Sequence, residues 1–221
     1  MGTAIRMVAK VNERFSNLVS KKVNEPLVLT LMNLSRIVFP GHYEWVESQS
    51  SGECDFVDID TGCKYDAKLP LTKKQGALIG SRNHDYADWM KTMIELESEF
   101  ADCICSSDGV KNVEKLELYC ILQDCLNKLQ EDENGIFFFP YPIVMDAEDL
   151  CTCFCMDLLD HIYDTLRKNG HVGERDIYVI DPSMDAKIVL RNMKTDAREY
   201  LLFPELDKYI IYQHYPDLQS E

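Results

Sequence analysis

Apolar Ile5, Val8, Val11, Phe15, Leu18 and Val19 recur at steps of three and four with charges between them, which predicts an amphipathic helix over 5–22. Pro26 suits the first turn of a second helix running through Leu27, Leu29, Leu31, Met32 and Leu34 and stopping before Pro40-Gly41. Three short segments follow, 42–47, 53–60 and 63–69, separated by Ser48-Gln49-Ser50-Ser51-Gly52 and by Thr61-Gly62. Turn residues between short β-prone runs predict an antiparallel meander. Helical spacing returns over 71–79, over 86–103 (Trp89, Met93, Leu96, Phe100) and over 113–129. Asn134-Gly135 introduces an apolar run, 136–144, whose Pro140 and Pro142 predict an edge or kinked strand at best. A long helix over 146–168 closes at Asn169-Gly170. The last quarter alternates strand-like pieces, 176–180, 187–191, 199–203 and 208–212, with turns at Asp181-Pro182 and Pro204.

This order predicts an α+β fold: a central mixed sheet with an N-terminal helix, a three-strand meander and a mainly helical acidic middle segment. The 221 residues suit one domain spanning 1–221. Within it, 1–82 would form the core, 83–170 a helical elaboration and 171–221 the closing strands. No internal repeat or low-complexity tract interrupts the pattern.

Composition narrows the class. With 46% hydrophobic and 28% charged residues, 10 Gly and 8 Pro, the chain has the make-up of an ordinary globular protein, which excludes collagen, coiled coil and disorder. No apolar run approaches the ~20 residues of a membrane-spanning helix. Arg6, Lys10 and Arg14 interrupt anything resembling a signal core, so no membrane association and a cytoplasmic location are expected. Nine cysteines, an odd number in a mid-sized chain, then read as reduced, mostly buried thiols.

The net charge of −15 is unevenly spread: residues 83–165 hold four bases against nineteen acids, while residues 1–40 hold six bases against two acids. A loose, sequence-independent grip on nucleic acid needs a basic surface, which the whole chain lacks. A local site near the more basic N-terminal third is compatible with this distribution.

The densest chemistry lies between Glu53 and Lys68. If Thr61-Gly62 is a two-residue hairpin loop, Asp55 falls opposite Lys68 and Val57 opposite Asp66. Alternation then puts Asp55, Asp66 and Lys68 on one face, and Phe56, Tyr65, Ala67 and Leu69 on the other, packed one. Cross-strand neighbours lie ~5 Å apart, so two carboxylates and an ammonium converge. A one-residue slip in register would scatter them. Two carboxylates at that spacing make a hard oxygen site suited to Mg²⁺ or Mn²⁺, where a bound water becomes more acidic and charge on a phosphoryl oxygen is stabilised.

With these residues in place, the segment over about 5–82 resembles the PD-(D/E)XK, or restriction-endonuclease-like, nucleases. Their pattern is a helix, three meandering strands carrying an Asp and then a (D/E)-x-K, and a helix that often carries a Gln. Asp55-Phe56 stands for the first motif, with Cys54 where the family name has Pro, and Asp66-Ala67-Lys68 stands for the second. The resemblance implies Asp55 and Asp66 as metal ligands, Lys68 orienting the attacking water and Gln75 in support. It also implies a further Glu from an early helix, Glu25 or Glu13. The activity implied is metal-dependent hydrolysis of nucleic acid, or a degenerate descendant of that activity.

Two other readings stand beside it. The same hairpin, fully solvated, would carry only a surface ion pair worth ~0–1 kcal/mol. The acidic middle segment would instead suit a non-enzymatic protein that docks a basic protein partner, as an inhibitor or nucleic-acid mimic does. Cys103, Cys105, Cys151, Cys153 and Cys155 have a C-x-C spacing that, on a helix, points neighbours to different faces, so they read as core thiols and not as a zinc site. Asp146, Glu148 and Asp149 suit a helix first turn. Asp185-Ala186-Lys187 reads as a surface hairpin. No P-loop, G-x-G-x-x-G or G-x-S-x-G occurs.

Overall fold

The computed structural model describes residues 24–46, 54–73, 113–139, 152–182 and 187–202. The predicted helices 5–22, 71–79 and 86–103, residues 146–151 of the long helix and the strand 208–212 lie wholly or almost wholly outside those residues. The chain divides into two compact units: one of 1–69, 129–141 and 175–221, the other of 70–128 and 142–174.

The first unit is built on one mixed sheet of seven strands in sequence order: β1 (Tyr43–Trp45), β2 (Phe56–Asp58), β3 (Lys64–Lys68), β4 (Glu133–Phe138), β5 (Ile177–Pro182), β6 (Lys187–Asn192) and β7 (Arg198–Leu202). β1, β2 and β3 form the antiparallel meander; β4 lies parallel to both β3 and β5; β5, β6 and β7 are antiparallel again. With α1 (Asn24–Leu34) preceding the meander, this is the mixed α+β architecture expected from the sequence.

α1 buries Leu27, Val28, Leu31 and Met32, one face at helical spacing, against Phe56, Ile136, Phe138, Ile180, Ile188 and Leu190 from the sheet. Three tyrosines enter the same core: Tyr43 and Tyr65 meet edge to face at 5.4 Å, and Tyr178 stacks on Phe39 at 4.6 Å. Their hydroxyls are joined, Tyr43 to Tyr65, Tyr65 to Tyr178 and Tyr178 to Asn192, which satisfies polar groups that would otherwise be costly to bury. Burial raises all three phenol pKa values, that of Tyr178 to about 12, so the network stays neutral.

Two expectations are corrected. The apolar run after Asn134-Gly135 is no edge strand: β4 sits between two parallel neighbours, and Ile136, Phe137 and Phe138 are all buried. The strand spans Glu133–Phe138, and Pro140 and Pro142 lie outside the described residues. Gly135 is a strand residue, and the position takes glycine because a Cβ there would come within 2.8 Å of Leu129 Cδ1 and 3.0 Å of Ile177 Cδ1. Asn134 accepts the N–H of Asp176 through its side chain at 2.9 Å instead of making a turn.

The hairpin register is the second. Phe56 pairs with Tyr65 and Val57 with Lys64, two residues away from the pairing that a two-residue loop would give. The loop is longer because Asp58 organises it: its carboxylate accepts Asp60 N–H at 3.1 Å and Thr61 Oγ1–H at 2.6 Å, and its backbone C=O accepts Gly62 N–H at 2.7 Å. Gly62 takes the left-handed φ of 75° that closes the turn. A slip of two leaves every side chain on its predicted face.

In the second unit, α2 (Glu117–Asn127) buries Tyr119, Leu122, Cys125 and Leu126, and α3 (Thr152–Lys168) buries Leu159, Ile162, Tyr163 and Leu166. α3 ends at Asn169-Gly170 as predicted: His171 N–H bonds Leu166 C=O at 2.9 Å, Gly170 N–H bonds Arg167 C=O at 3.1 Å, and Gly170 has φ 80°. Asn169 bonds Tyr119 Oη at 3.0 Å, and Gln123 bonds His171 at 2.7 Å, fastening the end of α3 to α2. Among the described residues no helix is long and apolar enough to cross a membrane.

Candidate active site

Asp55 sits where β2 departs from regular pairing. Its N–H bonds Tyr65 C=O at 3.0 Å although Phe56 is the register partner of Tyr65, so two residues of one strand face one of the other, the count of a β-bulge. The bulge turns the Asp55 side chain toward β3, where Oδ2 accepts the N–H of Ala67 at 2.8 Å. This N–H lies beyond the end of β2, so the carboxylate supplies the acceptor that a longer strand would have provided.

The same placement brings Asp55 against Asp66, the two carboxyl groups lying in hydrogen-bond contact. Burial, the bond to Asp66 and the Asp66 charge together push Asp55 up to about 7 from an ordinary 3.8, against the Ala67 N–H, which lowers it. Asp66 is buried and its Oδ2 is ion-paired with Lys68 Nζ, two residues along the same strand and on the same face. The side chain of Lys68 is 24% exposed and that of Asp66 12%, so the pair lies at the lip of the interior and is partly shielded from solvent.

Asp55, Asp66 and Lys68 therefore come together, although the two-residue slip sets Asp55 beside Asp66 and not opposite Lys68. Of the two glutamates left open by the sequence, Glu25 lies in the first turn of α1, and its charge acts on Asp55, raising it further. Glu13 and Gln75 lie outside the described residues, as do Cys103, Cys105, Cys151 and residues 183–186, and the side chains of Cys153 and Cys155. Most of the acid-rich stretch, 83–112 and 140–151, lies outside them too. Cys63 and Cys120 are exposed thiols, while Cys54 and Cys125 are buried ones.

Among the described residues no group of three or more His, Cys, Asp or Glu side chains is disposed to hold a metal ion. The donor set is two hard carboxylates whose mutual repulsion is only partly met by Lys68. Such a pair accepts a proton or a divalent cation with relief of charge, and a cation would draw its remaining ligands from water or a phosphate. Asp55 and Asp66 are the two residues that would hold Mg²⁺ or Mn²⁺ in such a site.

Sequence reading missed the bulge at Asp55 and the role of Asp58. The signal for the latter was present in Asp58-Ile59-Asp60-Thr61-Gly62, where an Asp followed by Thr and Gly marks a side-chain-closed turn. No family model, curated protein or solved structure matches the chain.

Proposed function

We propose that the protein is a metal-dependent nuclease of the PD-(D/E)XK kind, hydrolysing phosphodiester bonds in nucleic acid. The observation that carries the reading is the Asp55–Asp66 carboxyl pair with Lys68 bound to its rim, on the second and third strands of a meander that follows a helix. In this reading Asp55 and Asp66 hold Mg²⁺ or Mn²⁺. The ion, when bound, makes a water more acidic and offsets charge on the phosphoryl oxygens. Lys68 then exchanges its bond to Asp66 for one to the attacking water or to a phosphate oxygen, its ammonium being a donor only. Glu25 adds negative charge beside the pair, and the resemblance assigns the supporting role to Gln75.

Calorimetric titration of Mn²⁺ into wild type and Asp55→Asn/Asp66→Asn tests the site without a guess at substrate. Binding in wild type that disappears in the folded double variant, together with Mg²⁺-dependent cleavage of DNA or RNA lost in Asp66→Asn, supports the reading. Equal titrations, or cleavage that survives the loss of Asp66, overturn it.

A further inference from the structure

Both edges of the seven-stranded sheet are fastened to one short stretch, the last turn of α1 and the four residues after it. At β1, Asn33 Nδ2 donates to Tyr43 C=O at 3.0 Å and Asn33 Oδ1 accepts Tyr43 N–H at 3.1 Å. At β7, the Glu199 carboxylate reaches the turn at 35–38. Its Oε2 accepts Ser35 Oγ–H at 2.5 Å and the N–H groups of Arg36 at 3.0 Å, Ile37 at 3.0 Å and Val38 at 3.3 Å; its Oε1 accepts Arg36 N–H at 2.9 Å. The sheet therefore curls around α1, and its edges are held by side chains and not by a ladder between β1 and β7.

The two fastenings differ in kind. Asn33 offers a neutral, reciprocal pair of bonds, whereas Glu199 offers acceptors only, matched to donors only. These donors leave the Glu199 carboxyl below its ordinary range, although burial opposes them. Arg191 on the neighbouring strand and Arg198 on β7 itself both bond Asp196, and Glu199 is paired across the ladder with Leu190. Arg36, whose N–H is one of the donors, is exposed.

We propose that Glu199 is a clasp: β7 and the turn at 35–38 form one local opening unit that is released when the Glu199 charge is lost, while β1 and the central strands stay in place. The reasoning is that a donor-only cradle rejects anything but an acceptor. A glutamine keeps the shape yet, even with its oxygen in the Oε2 place, turns its NH₂ group toward the Arg36 N–H, so the cradle loses charge and gains a like pole. Among the described residues β7 is paired only with β6 and packs on the core through Leu201, and the Glu199 bonds tie it to the turn at 35–38. The proposal is independent of any role for Asp55.

Hydrogen exchange read by mass spectrometry on the full chain tests this. In Glu199→Gln, exchange at 36–38 and 198–202 is expected to quicken about tenfold or more, the loss expected from one charge-assisted bond, with 43–45 and 133–138 unchanged. Glu199→Asp, which keeps the charge but draws it back, should give a smaller rise at the same places, and it decides the matter if the Gln variant does not fold. Asn33→Ala should do the reverse, loosening 43–45 first. Unchanged exchange at 198–202, or a rise shared equally by β3, β4 and β5, overturns the clasp.

Discussion

The carboxylate of Asp55 accepts the Ala67 N–H at 2.8 Å while its carboxyl group touches that of Asp66. One bond favours the ionised form and the other disfavours it, and burial decides the outcome: the group ionises near pH 7 in the fold against an ordinary 3.8. A folded pKa above the unfolded one means stability that is fully present below about 3.8 and is lost as pH rises through about 7. Asp55→Asn keeps an oxygen for Ala67 and cannot ionise. Its stability relative to wild type should therefore improve from pH 5 upward and level off above about pH 7, as read by urea unfolding at several pH values without divalent ions. Parallel pH profiles for the two proteins would refute the raised ionisation of Asp55.

Lys68 is what makes two adjacent carboxyl groups tolerable. Its ammonium is bonded to Asp66, and both partners are largely withdrawn from solvent. Lys68→Met keeps much of the apolar stem but leaves Asp66 without its cation, an arrangement that costs on the order of 1–3 kcal/mol for a polar group left unmatched. The cost should be greatest at pH 8, where Asp55 is ionised, and smaller at pH 5, where it carries a proton. Chemical denaturation at the two pH values measures both. An equal loss at pH 5 and pH 8 would mean that Asp55 does not feel the Lys68–Asp66 pair.

The meander was legible because its turns are written in turn residues: Pro40-Gly41, Ser50-Ser51-Gly52 and Thr61-Gly62 bracket short runs whose alternation shows which face is packed. Phe56, Tyr65 and Ala67 fall on the core side as the alternation requires. The loop length was not legible, since it depends on the Asp58 side chain reaching Asp60 and Thr61 and not on backbone preference alone. β4 was misjudged because the apolar run was extended through Pro140 and Pro142 to Val144; a parallel strand between β3 and β5 is fixed by partners some 70 residues before it and 40 after. The action of Glu25 on Asp55 was not legible either, since the first turn of α1 comes near Asp55 only because Leu27, Val28, Leu31 and Met32 lie on the sheet.

Gly41 illustrates how closely the turn before β1 approaches the β2–β3 loop. A Cβ at this position would lie 2.8 Å from both oxygens of the Asp58 carboxylate, which is buried and already committed to Asp60 and Thr61. Gly41→Ala must displace that carboxylate from its bonds, so a loss of about 1–3 kcal/mol is expected, typical of overpacking. In an Asp58→Ala background the obstacle is gone, and the same substitution should cost clearly less. A double-mutant cycle by urea unfolding reads the coupling. Strict additivity would show that the contact does not set the cost.

Glu199 provides the opposite case to Asp55, a carboxyl held below its ordinary value of 4.5 by Ser35 and the N–H groups of residues 36–38. A depressed folded pKa gives stability that is present above about 4.5 and lost as pH falls through the lower folded value. Near pH 7, Glu199→Gln should cost about 1.5–3 kcal/mol, the range for hydrogen bonds to a charged group. The difference between variant and wild type should then shrink on acidification below pH 4.5, because wild type itself acquires the neutral side chain. Thermal or urea unfolding from pH 7 down to pH 3 provides the measurement. A gap that stays constant through that window would show that the substitution acts through shape and not through the Glu199 charge.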